Sequence, residues 1–539
     1  MVEVELVEDE PPTGGAGPDP AARWLRRALV VCVRAAGRGG RRAWRHLWLR
    51  WLAGGVAAAL VVVPVVGAVR DRARLAAFAD VTGMVQPLSP GLHPLFRVAA
   101  EDTPALQQDV AVQGVLVSAV QEPGGAWSIV GVDARTGARR WSQRTPPRAA
   151  ATATAAAGMG SASCAPAGTL VVCSAAPTSG PGASAGSAAA PATVAWVLEP
   201  TDGRTVRVMP HDEHSVVTGA GGLVVVASQA SGPAHAPANT PWTATWQVAG
   251  EDPATGAVRW TWTSPPVTVP ATALHRSLTQ RPADDVSALA PSARGRQAPG
   301  ATSDDVTLTV ADDTWVLGAG GAVLAHSARP GGWSMWDQDG SLLRAPVTAG
   351  TTTSDAPGEQ LLGTDGSWHA LPGEPLWLLS DDGSAPGVLL RWSPDQAHGR
   401  AVVSGVDRRS GATLWHTSLS LGGPSTAVLL GGRLYLAGSG LRAIDVTTGS
   451  VRWSAADVAP GTMLLGTDGS ALLVTVPDSS AHSNAVAARS PADGRTLWTD
   501  DLRAAVLPSG QGNVASLWVC AALRRVVAYR LDGPAVVLG

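Results

Sequence analysis

One turn-and-strand unit recurs along this chain and constrains its fold more than any other feature. Five copies have the form Asp-x-x-Thr-Gly-x-x-x-Trp or a close variant. Their key residues are Asp133, Gly137 and Trp141; Asp252, Gly256 and Trp260; Asp407, Gly411 and Trp415; Asp445, Gly449 and Trp453; and Gly494 and Trp498, which follow Ser490 in place of the aspartate. The short polar residue opens a turn by accepting backbone N–H bonds, and glycine supplies a positive φ. Such repetition indicates stacked β-units.

Three weaker copies extend the series. Gly203 follows Glu199 but has Arg207 at the tryptophan position, while Gly340 and Gly533 lie in shortened turns. The last four turn glycines are separated by 38, 45 and 39 residues, close to the spacing of about 40–50 residues per β-propeller blade. The eight turns predict an all-β, eight-bladed propeller, with seven blades as the alternative. We expect Asp109–Val120 to close the ring and the five repeat tryptophans to be largely buried between blades.

The N-terminal part of the chain has a different composition. Residues 1–22 are acidic and rich in proline and glycine, which predicts a disordered tail. Residues 23–50 are strongly basic, and residues 51–69 form a run of 19 positions without a charge. At about 1.5 Å per helical residue, that run is just long enough to span a bilayer core. We predict one transmembrane helix at 51–69.

Arginine is more frequent before this run than after it, which favours a cytoplasmic N-terminus and an extracellular propeller. A buried core helix and a cleaved signal peptide are the alternatives for residues 51–69, although the charged leader is long for a signal peptide. Residues 70–105 are predicted to be a linker and 106–539 the propeller. Two segments rich in small residues, near 149–191 and 265–305, are predicted to be loop insertions.

Two of the four cysteines lie either side of a short Pro/Gly segment. Cys164 and Cys173 would face each other in a β-hairpin, and an oxidising compartment would then join them in a disulfide. Two free buried thiols are the alternative. The spacing does not match a zinc site.

Few residues suggest catalysis. The net charge of −3 gives no electrostatic reason to expect nucleic-acid binding. The groups that could hold a metal or transfer protons are the paired acids Asp284–Asp285, Asp304–Asp305, Asp381–Asp382 and Asp500–Asp501 and the close pair His211 and His214. All fall in predicted loops, where solvated side chains are the ordinary outcome. We therefore predict no catalytic, cofactor-binding or metal-binding residues.

The five repeat units resemble the PQQ-like (pyrroloquinoline-quinone-like) β-propeller repeat family over roughly residues 106–539. That family includes quinoprotein dehydrogenases and non-catalytic scaffolds such as the lipoprotein of the outer-membrane barrel assembly machine. A membrane anchor before such a propeller also resembles actinobacterial surface proteins. The resemblance to the enzymes implies an adjacent Cys-Cys disulfide and a calcium site containing asparagine. This chain has no adjacent cysteines, and its few asparagines form no such group.

The expectation is therefore a membrane-anchored, extracytoplasmic and non-enzymatic binding scaffold without a cofactor. Its partner would be an unknown protein or cell-envelope ligand, with contact to the membrane through one helix. A PQQ-dependent membrane quinoprotein dehydrogenase is the alternative.

Overall fold

The computed structural model describes residue 81 and residues 83–539 apart from gaps within the chain. These gaps are 108–109, 122–126, 145–161, 176–193, 211–214, 233–240, 270–287, 292–304, 311–312, 329–331, 337–341, 347–358, 363–366, 377, 396–397, 420–425, 439, 456, 478–482, 507–513, 515 and 530–532. The described residues belong to one compact unit, Ala77–Gly539. The predicted tail, basic segment and transmembrane helix lie outside the described residues. Among the residues described, no helix has the length and apolar character needed to cross a membrane.

The described chain is built almost entirely from β-strands, which confirms the all-β prediction. Its helical elements are two single turns, Pro104–Gln107 and Arg503–Val506, and one 3-10 turn, Ala100–Asp102. The described strands form nine sheets of four or five strands. Most are simple antiparallel meanders, and we call the sheets blades 1 to 9 in chain order.

The first three blades follow the chain without a crossover. Blade 1 contains β2 (Ala111–Val112), β3 (Val115–Gln121), β4 (Trp127–Asp133) and β5 (Arg139–Arg144). Blade 2 contains β6 (Ala162–Ala167), β7 (Leu170–Ala175), β8 (Val194–Leu198) and β9 (Thr205–Pro210). Blade 3 contains β10 (Val216–Ala220), β11 (Leu223–Ser231), β12 (Trp242–Glu251) and β13 (Val258–Thr263), with β14 (Val267–Val269) also paired to β12.

Blades 4 to 6 occupy the middle of the sequence. Blade 4 contains β15 (Ala288–Pro291), β16 (Val306–Val310), β17 (Asp313–Leu317) and β18 (Val323–Ala328). Blade 5 contains β19 (Gly332–Trp336), β20 (Leu342–Pro346), β21 (Gln360–Leu362) and β22 (Trp368–Ala370). Blade 6 contains β23 (Glu374–Pro375), β25 (Val388–Asp395), β26 (Arg400–Asp407) and β27 (Thr413–Leu419).

The last three blades include two strands that leave the chain order. Blade 7 contains β28 (Thr426–Leu430), β29 (Arg433–Ala437), β30 (Leu441–Asp445) and β31 (Val451–Ala455), with β24 (Leu378–Asp381) added in parallel to β28. Blade 8 contains β32 (Leu464–Thr467), β33 (Leu472–Pro477), β34 (Ser483–Arg489) and β35 (Thr496–Asp501). Blade 9 contains β36 (Ser516–Cys520), β37 (Arg525–Tyr529), β38 (Ala535–Leu538) and the N-terminal strand β1 (Pro94–Val98).

In blade 3 the first strand is the most buried and the fourth the least. Four of the five residues of β10 and four of the nine of β11 are buried, whereas β13 has only exposed and half-buried residues. The Val-rich inner strands are apolar on both faces because another blade covers each face. The fourth strand has one face toward solvent, which explains the polar residues between its tryptophans.

The core is divided into apolar clusters between consecutive blades. One cluster joins blades 6 and 7, another joins blades 7 and 8, and a third joins blades 8 and 9. The cluster that contains Val98, Leu116, Val132, Val527 and Val537 joins blade 9 to blade 1. This contact closes the series of blades into a ring, as in a β-propeller.

The nine described sheets do not confirm the predicted count of eight blades. The additional sheet is blade 4, whose turn at Gly318–Ala322 contains Gly321 but neither the aspartate nor the tryptophan. Gly340 lies outside the described residues, in the connection between the first two strands of blade 5. Gly533 precedes the third strand of blade 9, although the complete repeats place glycine between the third and fourth strands.

The strand that closes the ring was predicted wrongly. Pro94–Val98 pairs with Ala535–Leu538 of blade 9, whereas most of Asp109–Val120 forms the β2–β3 hairpin of blade 1. The closing strand therefore comes from the segment predicted as a linker. The predicted insertion 149–191 also contains β6 and β7, and 265–305 contains β14 and β15. Small residues occupy these strands, so their composition resembles that of loops.

Candidate functional site

The repeat turn is a closed network of hydrogen bonds around its aspartate. In blade 1, Asp133 Oδ1 accepts the amides of Arg135 at 2.9 Å and Thr136 at 2.8 Å. Its Oδ2 accepts the Arg140 guanidinium, with Nε at 2.9 Å. The Arg140 bond is the main cause of a pKa for Asp133 well below the ordinary value, and the two backbone amides add to it. The carboxylate is thus ionised and bonded within its own hairpin.

The other three aspartates have the same role with different partners. Arg259 bonds Asp252 at 2.8 Å and Arg452 bonds Asp445 at 2.6 Å, and each guanidinium is the main cause of a lowered aspartate pKa. Asp407 lacks this arginine, and the Ser410 hydroxyl at 2.8 Å is the main cause of its lowered pKa. The recurring carboxylates are therefore parts of turns, as the sequence predicts.

In the fifth copy the two polar positions are exchanged. Ser490 stands where the other copies have aspartate, and Asp493 stands where they have Thr or Ser. The Ser490 hydroxyl accepts the Ala492 amide at 3.2 Å, and a hydrogen bond from Ser490 is the main cause of the lowered pKa of Asp493. A hydroxyl and a carboxylate are thus paired across the turn with their positions reversed.

Three of the five repeat tryptophans donate a hydrogen bond to the turn of the following blade. Trp141 Nε1 donates to the carbonyl of Pro200 at 2.8 Å, and Trp415 Nε1 donates to Val446 at 2.6 Å. Trp453 Nε1 donates to Pro491 at 3.1 Å. In each case the acceptor lies three residues before the turn glycine of the next blade. The repeat therefore carries both halves of the blade-to-blade contact, a turn that receives an indole and an indole that reaches the next turn.

The indole ring packs directly against the turn glycine of the following blade. A Cβ on Gly449 would lie 2.7 Å from ring atoms of Trp415, and one on Gly203 would lie 2.5 Å from Trp141. Both glycines have positive φ, at 70° and 73°. Two separate reasons therefore favour glycine at this position. The backbone is left-handed, and the neighbouring indole fills the space that a side chain would need.

A small residue also lies beneath the indole within its own blade. Gly131, Gly250 and Gly405 are the register partners of Trp141, Trp260 and Trp415. A Cβ on any of the three would come within 2.4 Å of the indole ring. Ala443 and Ala488 occupy this position in blades 7 and 8. We did not predict this requirement, although a glycine or alanine two residues before the turn Asp or Ser was visible in all five copies.

Residues other than tryptophan make the same contact elsewhere in the ring. Arg207 of blade 2 lies against Gly256, donates to the Asp252 carbonyl at 3.3 Å and pairs with Glu251. Phe96 lies against Gly137, and His369 lies against Gly411. The sequence marks Arg207 as the residue at a tryptophan position, whereas no turn sequence precedes Phe96 or His369 to mark them.

Burial of the five tryptophans agrees only in part with the prediction. Trp415 is buried, with 8% of its surface exposed. Trp141, Trp260, Trp453 and Trp498 are half-buried. Trp260 lies on Gly321 of blade 4, but its Nε1 has no hydrogen-bond partner. The blade 4 turn is tighter, and its Gly318 carbonyl already accepts the Gly321 amide at 2.8 Å.

The predicted disulfide is present. Cys164 and Cys173 face each other in the β6–β7 hairpin, and their sulfur atoms are bonded. The hairpin belongs to blade 2, so the disulfide joins the first two strands of that blade. Cys520 is buried and lies outside this disulfide.

The paired acids that fall among the described residues stabilise turns. Asp382 accepts the Gly431 amide at 2.6 Å, and Asp500 accepts the amides of Gly91 and Leu92 at 2.8 and 3.1 Å. Asp381 and Asp501 accept the amides of Gly383 and Arg503. In the described part of the chain, no three acidic, His or Cys side chains are grouped as metal ligands. Asp284, Asp285, Asp304, His211 and His214 lie outside the described residues.

The long connections are distributed unequally between the two faces of the ring. Strand direction alternates, so the Asp-containing turns lie on one face with the turns between first and second strands; Ala134, for example, donates to the Gly114 carbonyl at 3.0 Å. Connections between second and third strands, and those between blades, start from strand ends on the opposite face. The strands that end before the gaps 145–161, 176–193, 233–240 and 270–287 all end on that face. We call it the insertion face.

Comparison with known proteins finds a family match in the C-terminal part of the chain. Residues 399–534 match the family model described as outer membrane protein assembly factor BamB. This match covers blade 8, blade 7 apart from β24, β26 and β27 of blade 6, and β36 and β37 of blade 9. No curated protein matches the sequence.

Several solved structures are similar at low sequence identity. BamB from Moraxella catarrhalis is 14% identical, with 83% of this chain and 99% of that chain covered and a TM-score of 0.35. The computationally designed Ika8 protein is 11% identical, with 85% and 99% covered and a TM-score of 0.32. A europium-containing methanol dehydrogenase is 13% identical, with 71% and 75% covered and a TM-score of 0.24. The similar structures thus include an assembly factor and a dehydrogenase.

Proposed function

We propose that this protein is a non-catalytic binding scaffold, anchored in the membrane by residues 51–69, whose propeller recognises a protein or another cell-envelope ligand outside the cytoplasm. The observation that carries the proposal is the use of the recurring polar groups. The repeat aspartates bond their own turns, and the indoles of Trp141, Trp415 and Trp453 bond the next blade. The repeat motif therefore serves the ring itself.

Recognition is assigned to the insertion face. A rigid ring of strands can hold loops in fixed positions, and binding residues in proteins are often found on loops held in this way. The three longest gaps that begin at strand ends on this face, 145–161, 176–193 and 270–287, follow strands of blades 1, 2 and 3, so the proposed recognition surface is on that part of the ring. The net charge of −3 supports a partner other than nucleic acid.

The proposed location rests on three features. The run at 51–69 is uncharged, arginine is concentrated before it, and the Cys164–Cys173 disulfide suits an oxidising compartment. Protease added to intact protoplasts should degrade the propeller and leave the N-terminal tail. Degradation of the tail with protection of the propeller would refute the proposed topology.

Partner capture tests the scaffold proposal directly. Full-length protein is crosslinked in intact cells, and co-purified proteins are compared with those from variants in which 176–193 or 270–287 is replaced by a short Gly/Ser linker. Replacement of 292–304, which connects the first two strands of blade 4 on the other face, is the matched control. The insertion-face variants should lose partners while the control keeps them, and all should melt near the original temperature.

The enzyme alternative has a separate measurement. The purified protein is mixed with PQQ and calcium and assayed for binding and for dye-linked oxidation of alcohols and sugars. We expect neither binding nor turnover. Turnover of any substrate with a quinone or metal, or retention of every partner by both insertion-face variants, would contradict the scaffold proposal.

A further inference from the structure

A short N-terminal segment, Gly83–Gln86, lies inside the ring of first strands. The first strands of neighbouring blades contact one another, as β28 does β32 and β32 does β36, so they surround the centre of the propeller. β24 pairs with β28 on the side away from β29, and thus lies further inward. Gly83–Gln86 lies between β24 and the first strand of blade 8. We call this segment the axial latch.

Hydrogen bonds attach the axial latch to two blades. Met84 pairs with Thr467 of blade 8 in parallel, and the Val85 amide donates to the Thr467 carbonyl at 2.8 Å. The Gln86 amide donates to the Arg524 carbonyl of blade 9 at 2.8 Å, and Arg524 Nε returns a bond to the Met84 carbonyl at 3.0 Å. The segment therefore runs beside β32 toward the face that carries the Asp-containing turns.

Burial of the axial latch is as complete as that of the propeller core. Met84 and Val85 are each 1% exposed, and Thr467 beside them is fully buried. Val85 belongs to the same apolar cluster as Leu473 and Val526 of blades 8 and 9. A segment that only passed over the surface would keep much of its apolar area in water, so these residues contribute to the core.

Gly83 shows how closely the backbones approach. Its φ is 75°, and a Cβ there would lie 1.6 Å from the Leu379 carbonyl oxygen of β24. The Gly83 carbonyl in turn lies against Gly466 of β32, where an added Cβ would meet it at 2.9 Å. Only glycine fits between these strands, because the neighbouring atoms are backbone and cannot move aside as a side chain would.

We propose that the axial latch is a conformational device: it joins blades 7, 8 and 9 from inside the ring and closes that side of the central channel. Its withdrawal would loosen the seam where β1 meets the C-terminal strands and would open the centre to solvent. The ring is thus held at its outer edge by β1 and at its centre by the latch. Both belong to the stretch 83–98, so one segment controls both closures.

Amide hydrogen exchange on the full-length protein tests the latch. In the unmodified protein, the Val85 and Gln86 amides should exchange slowly, because both are bonded and Val85 is buried. Gly83→Ala should speed their exchange by at least about tenfold through local opening, and should also expose β24 and β32. Gly91→Ala is the matched control, since Gly91 has a φ of 86° and open space around it. The proposal would be overturned if the Val85 and Gln86 amides of the unmodified protein exchanged as fast as those of an unstructured peptide. Equal effects of the two substitutions on this exchange would also overturn it.

A disulfide trap tests the same contact by crosslinking. Met84→Cys is combined with Thr467→Cys in a Cys32→Ser, Cys520→Ala background, and the crosslink is mapped by mass spectrometry. The two introduced cysteines should form a disulfide readily in the folded protein. This disulfide should raise the melting temperature, and its reduction should remove the increase. Met84→Cys with Thr475→Cys should not crosslink, because Thr475 lies on the neighbouring strand β33 and is bonded to Met463. Absence of the first crosslink, or equal formation of both, would refute the latch.

Discussion

Substitution of Gly449 by alanine tests the contact between blades 6 and 7. At this position an L side chain meets a φ of 70° and places its Cβ 2.7 Å from the Trp415 ring. The left-handed backbone alone costs about 1–2 kcal/mol for a non-glycine residue. Displacing a packed ring adds about 1–3 kcal/mol by overpacking, and weakening the Trp415–Val446 hydrogen bond adds about 1 kcal/mol. We therefore expect Gly449→Ala to reduce the free energy of unfolding by about 3–6 kcal/mol.

Gly432→Ala is the matched control for backbone strain. Gly432 has a φ of 71°, almost the same as Gly449, but nothing lies within 4 Å of an added Cβ. Its cost should be about 1–2 kcal/mol, the strain alone. Both variants are compared in urea denaturation of the full-length protein, with the midpoint and the slope recorded separately.

A double-mutant cycle then isolates the contact itself. In a Trp415→Ala background the indole is absent, so Gly449→Ala should cost no more than Gly432→Ala. The two substitutions at Gly449 and Trp415 should therefore be non-additive by more than about 1 kcal/mol. Equal costs for Gly449→Ala and Gly432→Ala, or full additivity with Trp415→Ala, would refute the steric explanation.

Three further predictions concern stability. Arg207→Ala should reduce the free energy of unfolding by about 2–4 kcal/mol, because it leaves Glu251 without its ion-pair partner at a half-buried position. Arg259→Ala, which removes a more exposed arginine, is the control. Equal urea midpoints for the two variants would argue against a role of Arg207 in blade contact. The pKa of Asp133 in the folded protein is below its unfolded value of 3.8, so its contribution to folding stability is present above pH 4 and is lost as the pH falls further. Between pH 5 and pH 2 the melting temperature should therefore fall less in Asp133→Asn than in the unmodified protein. An identical fall in both proteins would contradict this. Replacing Cys164 and Cys173 by serine should cost about 2–3 kcal/mol, and a reductant should lower the melting temperature of the unmodified protein but not of the double variant.

The repeated turns could be predicted from the sequence because their chemistry is local. Asp133, Thr136 and Gly137 act within one hairpin, and each has a role that its residue type reveals. The Cys164–Cys173 disulfide was predictable for the same reason, since the two residues are opposite each other across one short turn. The predicted burial of tryptophan between blades was right for Trp415 and only partly right for the other four.

The features that sequence reasoning missed depend on residues far apart in the chain. Pro94–Val98 joins the C-terminal strands more than 400 positions away, and no local pattern marks it as their partner. Blade 4 was missed because its turn uses Gly321 without an aspartate. Trp260 of the preceding blade contacts this turn, but the two residues are far apart in the sequence. Phe96, Arg207 and His369 replace tryptophan at three contacts, so a search for the aromatic motif alone could not count the blades.

The blade contact also has a direction. At the described contacts, the fourth strand of one blade offers the side chain and the turn of the next blade receives it, as Trp141 meets Gly203 and Trp453 meets Gly494. A complete unit therefore has two different ends, one that gives the side chain and one that receives it. Because Trp141, Trp415 and Trp453 make the same contact, duplication or loss of a complete unit leaves such a junction chemically compatible, so the length of the ring can change by gene rearrangement. Gain of one unit by duplication is a simple route to the nine sheets described in this propeller.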